Sequence, residues 1–171
     1  IFLYLSCIKI HKTPILLSTS LSKNELNYLI DKYNIKHIVS EWKSRDLFDN
    51  TSMIYYFEEL LNSSRGCGIP THSNSNSNPE SILFTSGSTG FPRAVSLDLK
   101  NFYHSSVAWN KNIKFDSTDS YLLCLPLYHI SGLSILYRAI YYKFNIQIVD
   151  NYRYALNHSG SIISLIPSLL N

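Results

Sequence analysis

No stretch of this sequence is both apolar and long enough to cross a bilayer. The apolar opening, Ile1–Ile8, has no basic segment before it and is interrupted by Lys9 and Lys12, far short of the roughly 20 residues that a membrane helix needs. It reads as core rather than as a leader or anchor. Charge is also scarce: Asp, Glu, Lys and Arg make up 16% of the chain, for a formal net charge of +3. Nucleic-acid binding requires Lys and Arg gathered on one face, and the single basic tract, Lys111–Lys114, is too weak for that. The three cysteines, Cys7, Cys67 and Cys124, are odd in number and lack metal-ligand spacing. Neither a disulfide framework nor a zinc site is favoured, and a reducing compartment fits. No internal repeat is present.

What the chain does have is the composition of a globular protein, with 45% hydrophobic and 13% aromatic residues in 171 positions. That is enough apolar material for a single core. Beginning on Ile1 and ending on Asn171 just after an apolar run, it reads as one partial domain over 1–171, cut at both ends.

Apolar periodicity then divides the chain. Pro14–Leu17 is a short apolar run, and Ser22 with Glu25 forms a capping box for a helix through about Tyr33, with Leu26, Leu29 and Ile30 on one face. Asn34 suits a left-handed helix end, and Lys36–Val39 reads as the next strand, completing a strand–helix–strand unit. Ile54, Phe57, Leu60 and Leu61 recur at helical spacing. A Ser/Asn-rich surface loop covers about 63–78, because it has almost nothing to bury. Then come a strand at Ser81–Thr85, a Gly-rich turn, a helix over about Asp98–Asn110 and a strand at Tyr121–Leu125. A helix over about Leu133–Tyr142, a strand at Asn145–Val149, a short helix from Tyr152 and a strand at Ser161–Leu165 follow, with Pro167 ending the pairing. Strands alternating with helices of this length predict an α/β fold with a mostly parallel, helix-covered sheet.

The turn after Ser81–Thr85 carries the chemistry. Thr85-Ser86-Gly87-Ser88-Thr89-Gly90-Phe91-Pro92-Arg93 supplies hydroxyls, exposed backbone N–H groups and one cation. Glycines admit a ligand close to the backbone, and the donors and guanidinium answer phosphate charge. A Ser/Gly/Thr cluster by composition alone is more often a flexible loop, so the order of the residues decides. The order is not that of a Walker loop, since Gly90 is followed by Phe91 where Gly-Lys-Ser/Thr is required.

The run resembles the signature Thr-Ser-Gly-Ser/Thr-Thr-Gly-x-Pro-Lys-x-Val of the acyl-adenylate-forming superfamily, which unites acyl-CoA synthetases, peptide synthetases and luciferases. Every specified residue from Thr85 to Val95 is present except the Lys, which is replaced by Arg93. The resemblance implies an AMP-binding domain. Its loop would close over the β- and γ-phosphates of ATP while a carboxylate attacks the α-phosphate, with magnesium helping to neutralise the charge of an in-line displacement. Arg93 keeps that charge on a larger, planar group, which alters the loop's geometry.

A second run, Leu125-Pro126-Leu127-Tyr128-His129-Ile130-Ser131-Gly132-Leu133, puts His129 at the carboxyl end of a strand, where open α/β sheets bind ligands. By itself a lone His is more often a hydrogen-bonded structural residue. Tyr128 and His129 match the superfamily's aromatic-His motif at the acyl site. The longer stretch Leu125–Arg138 looks like the form found in o-succinylbenzoate–CoA ligases of menaquinone and phylloquinone synthesis, in which the Arg is associated with the aromatic dicarboxylate. An arginine among Leu136, Tyr137, Ala139 and Ile140 calls for a partner, since a buried unpaired charge is costly.

The resemblance therefore implies ATP-dependent conversion of 2-succinylbenzoate to an acyl-adenylate and transfer to coenzyme A. Phosphate contacts would come from Thr85, Ser86, Gly87, Ser88, Thr89, Gly90 and Arg93; His129 would act catalytically, with His129, Ser131 and Arg138 around the acyl group. The magnesium ligand and the mobile C-terminal domain of the superfamily lie beyond this segment. Two alternatives stand beside this reading: a ligase for another carboxylic acid, and a truncated non-catalytic nucleotide-binding remnant. A cytoplasmic setting is expected, with plastid stroma as the alternative; homo-oligomerisation is left open.

Overall fold

A computed structural model describes residues 1–48, 53–58, 80–85, 91–149 and 160–165. The chain divides into two compact units, one of Ile1–Leu17, Asn76–Thr85 and Ala94–Asn171, the other of Ser18–Ser75 and Ser86–Arg93.

The first unit opens with helix α1 (Phe2–Lys9) and strand β1 (Ile15–Leu16). The expectation that Ile1–Ile8 is core holds only for one face of α1. Tyr4 is buried and Ile1 and Ile8 pack against the core, but Phe2 is 86% exposed and Leu3 and Leu5 are exposed as well. A helix turns its residues through 100° steps, so a run that is apolar all round cannot bury every member against one partner.

In the second unit, α2 (Lys23–Lys32) begins at the anticipated capping box. Ser22 Oγ accepts from Glu25 N, and Ser22 N donates to Glu25 Oε2 at 2.9 Å. Leu26, Leu29 and Ile30 form its buried face, and Asn34 takes φ 49°, the left-handed conformation expected of it. Strand β2 (His37–Ser40) follows, and after a 3₁₀ turn (Trp42–Leu47) comes β3 (Met53–Tyr56), parallel to β2.

The helix expected from Ile54 is therefore corrected. Residues 53–56 are strand and only Phe57–Glu58 are helical, while 59–61 lie outside the described residues. Short apolar runs fit either period, and here the aromatic pair Tyr55-Tyr56 is drawn into a ladder beside Val39 and Ser40. The loop at about 63–78, the Gly-rich turn at 86–90, the helix from Tyr152 and Pro167 also lie outside the described residues.

Back in the first unit, β4 (Ser81–Thr85) matches its expected bounds and lies beside β1 and β5 (Arg93–Leu97). Strand β5 was not anticipated, because the signature drew that segment into the Gly-rich turn. Helix α3 (Leu99–Ile113) starts from a reciprocal cap: Asn101 N donates to Asp98 Oδ1 at 2.8 Å and Asp98 N to Asn101 Oδ1 at 2.9 Å. Next come β6 (Ser120–Leu123), α4 (Ile130–Tyr142), β7 (Asn145–Ile148) and β8 (Ile162–Ile163). Strand β6 is central, parallel to β7 on one side and β8 on the other.

The pairings of β1 with β4, β2 with β3, and β6 with both neighbours are all parallel. The α/β expectation thus holds, distributed among the described residues over three small sheets. Strands β1 and β2 flank α2 as expected, but they belong to different sheets. No described helix is long and apolar enough to cross a membrane.

The core of the first unit is aromatic. Phe102 of α3 stacks on Tyr137 of α4 with ring centroids 3.8 Å apart and planes 9° from parallel. Phe115, Tyr121 and Phe144 cluster around the base of β6. The phenols need partners in such a place. Tyr4 Oη meets both Ser81 Oγ and, at 2.7 Å, Tyr137 Oη, and Tyr137 donates to Glu80 Oε1 at 3.0 Å. Burial pushes the Tyr137 phenol far above its ordinary pKa, and the contact with Tyr4 adds to this, so it stays a neutral donor.

Replacing Phe102, 2% exposed, with Ala should lower stability by about 3–5 kcal/mol. Phe2→Ala should change it by no more than about 0.5 kcal/mol. Urea unfolding followed by circular dichroism checks both.

Candidate functional site

The phosphate-loop candidates divide between described and undescribed positions. Thr85 ends β4 and is exposed; Ser86, Gly87, Ser88, Thr89 and Gly90 lie outside the described residues; Arg93 opens β5 and is exposed. Within the second unit, the far limb of the loop rests on α2. The Phe91 ring lies 4.4 Å from that of Tyr28, whose hydroxyl accepts from Lys32 Nζ at 2.7 Å. That hydrogen bond pushes the Lys32 pKa up, and the charge of Arg93 acts weakly against it.

In the first unit, the backbone that leaves β6 makes the aromatic-His turn. His129 is the N-cap of α4 with extended backbone (φ −103°, ψ 142°), and its carbonyl accepts from Gly132 N at 3.1 Å and Leu133 N at 3.0 Å. Its side chain makes no capping hydrogen bond and is exposed beside Tyr128, with ring centroids 4.7 Å apart. An N-cap is ordinarily Ser, Thr, Asp or Asn, whose side chain closes the helix end. A histidine that leaves this task undone keeps its imidazole for other contacts. Ser131, in the first turn of α4, is exposed too.

Gly132 explains how the turn fits. A Cβ there would collide with the carbonyl oxygens of Pro126 and, at 2.6 Å, Leu125. Those atoms are backbone and cannot swing away, so glycine lets the start of α4 close onto the segment leaving β6.

Arg138 lies nine residues beyond His129 in the same helix, or about 13 Å along the axis at 1.5 Å per residue. The residue is 4% exposed. Its Cζ lies 4.1 Å from the centre of the Trp109 ring, and its Nε has no hydrogen-bond partner. Burial pushes its pKa down; the Tyr121 hydroxyl acts the other way and favours the charged form. No carboxylate pairs with it among the described residues.

His129, Ser131 and Arg138 therefore share one helix, with the first two at its open end and the third buried against α3. Trp109 and Tyr121 were not singled out from the sequence. A signal for Trp109 existed, since Phe102, Ser106 and Trp109 recur at four- and three-residue steps on one face of α3. Tyr121 carried none, because an aromatic in a strand reads simply as core.

The family model for AMP-binding enzymes matches residues 1–171. The 2-succinylbenzoate–CoA ligase of Staphylococcus aureus strain JH9 is 36% identical over 139 residues, covering 73% of this chain and 27% of that protein. The corresponding ligase of strain Newman is 35% identical over 142 residues, covering 75% and 28%. The chain thus spans about a quarter of the length of these curated relatives. Among solved structures, o-succinylbenzoate CoA synthetase (MenE) from Bacillus subtilis with the intermediate OSB-AMP superposes with a TM-score of 0.84 at 22% identity, over 99% of this chain and 46% of that one. ATP-bound MatB from Rhodopseudomonas palustris gives 0.79 at 19% identity, over 98% and 37%. These likenesses establish the fold.

Gly132→Ala should cost about 2–3 kcal/mol of stability, as overpacking against fixed backbone does, while Ser131→Ala should be near neutral. Thermal melts of the two variants measure the difference.

Proposed function

Since the chain belongs to the AMP-binding enzyme family, we propose that the polypeptide carrying it activates 2-succinylbenzoate with ATP and passes the acyl group to coenzyme A. One carboxylate oxygen of the acid attacks the α-phosphorus and pyrophosphate leaves. The thiol sulfur then attacks the acyl carbon and AMP leaves, giving the thioester. A cytoplasmic setting suits this chemistry and its small, charged substrates.

The donor set fits a polyphosphate. Thr85, Ser86, Ser88 and Thr89 bring hydroxyls, Gly87 and Gly90 admit close approach of the backbone, and Arg93 brings the cation. Magnesium, when bound, neutralises phosphate charge, and this segment's part is to hold the nucleotide beside it. His129, with its imidazole exposed at the start of α4, would contact the reacting carboxyl, and Ser131 would line the same end.

The observation that carries the choice of substrate is Arg138. A guanidinium that is almost wholly buried, with an unused Nε donor and no carboxylate beside it among the described residues, is matched to a bound anion. In an acid whose aliphatic carboxyl is consumed by adenylation, that anion is the second carboxylate, on the ring. The 35–36% identity to ligases named for 2-succinylbenzoate supports the same choice.

The test is pyrophosphate release by the complete polypeptide with ATP, magnesium and a panel of acids. Release should depend on 2-succinylbenzoate. Arg138→Ala should lower kcat/KM for it by about 100-fold, the loss of a charge-assisted hydrogen-bonded pair. The same change should leave 4-oxo-4-phenylbutanoate, which lacks the ring carboxylate, within about threefold. Wild-type release with a different acid would discard the substrate and keep the chemistry.

A further inference from the structure

All five N–H donors of a guanidinium lie in its plane, so the way the plane is held decides where they point. The guanidinium carbon of Arg138 lies over the Trp109 indole, 4.1 Å from the ring centre. Stacking on an aromatic ring fixes the plane without using a donor and without cancelling the charge, which no carboxylate or carbonyl partner could do. Nε has no hydrogen-bond partner among the described residues, although the residue is 4% exposed. Nε–H and the neighbouring terminal N–H point the same way along one edge, and together they match the two oxygens of a carboxylate.

The indole is itself held in place. Trp109 follows Phe102 and Ser106 on one face of α3, and those two residues are each 2% exposed. Ser106 donates to Phe102 O at 2.7 Å, and Phe102 stacks on Tyr137, the residue preceding Arg138. The face of α3 that carries Trp109 is thus registered against α4 one residue away from the arginine.

We infer that Trp109 is a positioning residue for substrate recognition: its ring holds the guanidinium of Arg138 in place, still charged, for the planar ring carboxylate of the acid. The inference rests on the substrate reading proposed above. Burial works against the charged form of Arg138, and Tyr121 supports it, in part through a side-chain hydrogen bond.

Trp109 is 41% exposed, so the fold tolerates its truncation. Trp109→Ala in the complete polypeptide should raise KM for 2-succinylbenzoate roughly five- to tenfold, the range of a partly desolvated cation–π contact, with kcat within about twofold. KM for 4-oxo-4-phenylbutanoate should stay within about twofold, and Trp109→Phe, which keeps an aromatic face, should recover most of the loss. A merely structural role would move both acids alike.

If Arg138→Ala weakens 2-succinylbenzoate selectively but Trp109→Ala does not, the substrate reading stands and the role of Trp109 is overturned. If the wild type does not distinguish the two acids, the substrate reading fails and takes the inference with it. A readout independent of turnover is the emission of Trp109. In a complete polypeptide whose other tryptophans, Trp42 among them, are replaced by Phe, that emission should change on titration with 2-succinylbenzoate and not with 4-oxo-4-phenylbutanoate. No dicarboxylate-specific change would overturn the role of Trp109 whatever the activity.

Discussion

The stack of Phe102 on Tyr137, with centroids 3.8 Å apart, ties α3 to α4, and much of the first unit is arranged around it. Tyr137 is shared between two kinds of bonding. Its ring contributes to the apolar core, while its hydroxyl, with Tyr4, Ser81 and Glu80, forms a chain that joins α1, the start of β4 and α4. In a low-dielectric interior such a chain is strong only when each member is satisfied. Loosening the stack would therefore release the hydroxyl chain as well, along with the register of the helix that carries His129 and Arg138.

That helix sets the geometry of the proposed acyl site. Its start is fixed by Gly132, which lets backbone close on backbone, so the N-cap position falls on His129 and the imidazole is exposed beside the end of β6. Helical rise then fixes how far away Arg138 stands.

Local signals were the most readable. Ser22 with Glu25 closes the capping box of α2, Asn34 takes the left-handed conformation, and Ser81–Thr85 is a strand within the expected bounds. Each of these depends on residues within a turn of one another. Misreadings arose where a distant partner decides. Met53–Tyr56 is a strand because β2 offers it an edge, although Ile54 and Phe57 also suit a helix. Phe2 and Leu5 are as apolar as Ile1 and Ile8, and only packing separates those that are covered from those that are not. Strand β5 was hidden by a motif whose last residues serve both loop and strand.

The sequence by itself determined the chemistry on offer: the hydroxyls, glycines and cation of Thr85–Arg93, the aromatic-His turn, and an arginine one helix beyond it. Their identity and order are covalent facts, and a motif of neighbours is legible without a fold. Only the tertiary structure decided what Arg138 faces. Trp109 lies 29 positions earlier in the chain, and no local rule pairs the two. Their meeting depends on α3 and α4 packing through Phe102 and Tyr137, and it is burial there, with Nε unpaired among the described residues, that suits a charged side chain to the proposed role of anion receptor.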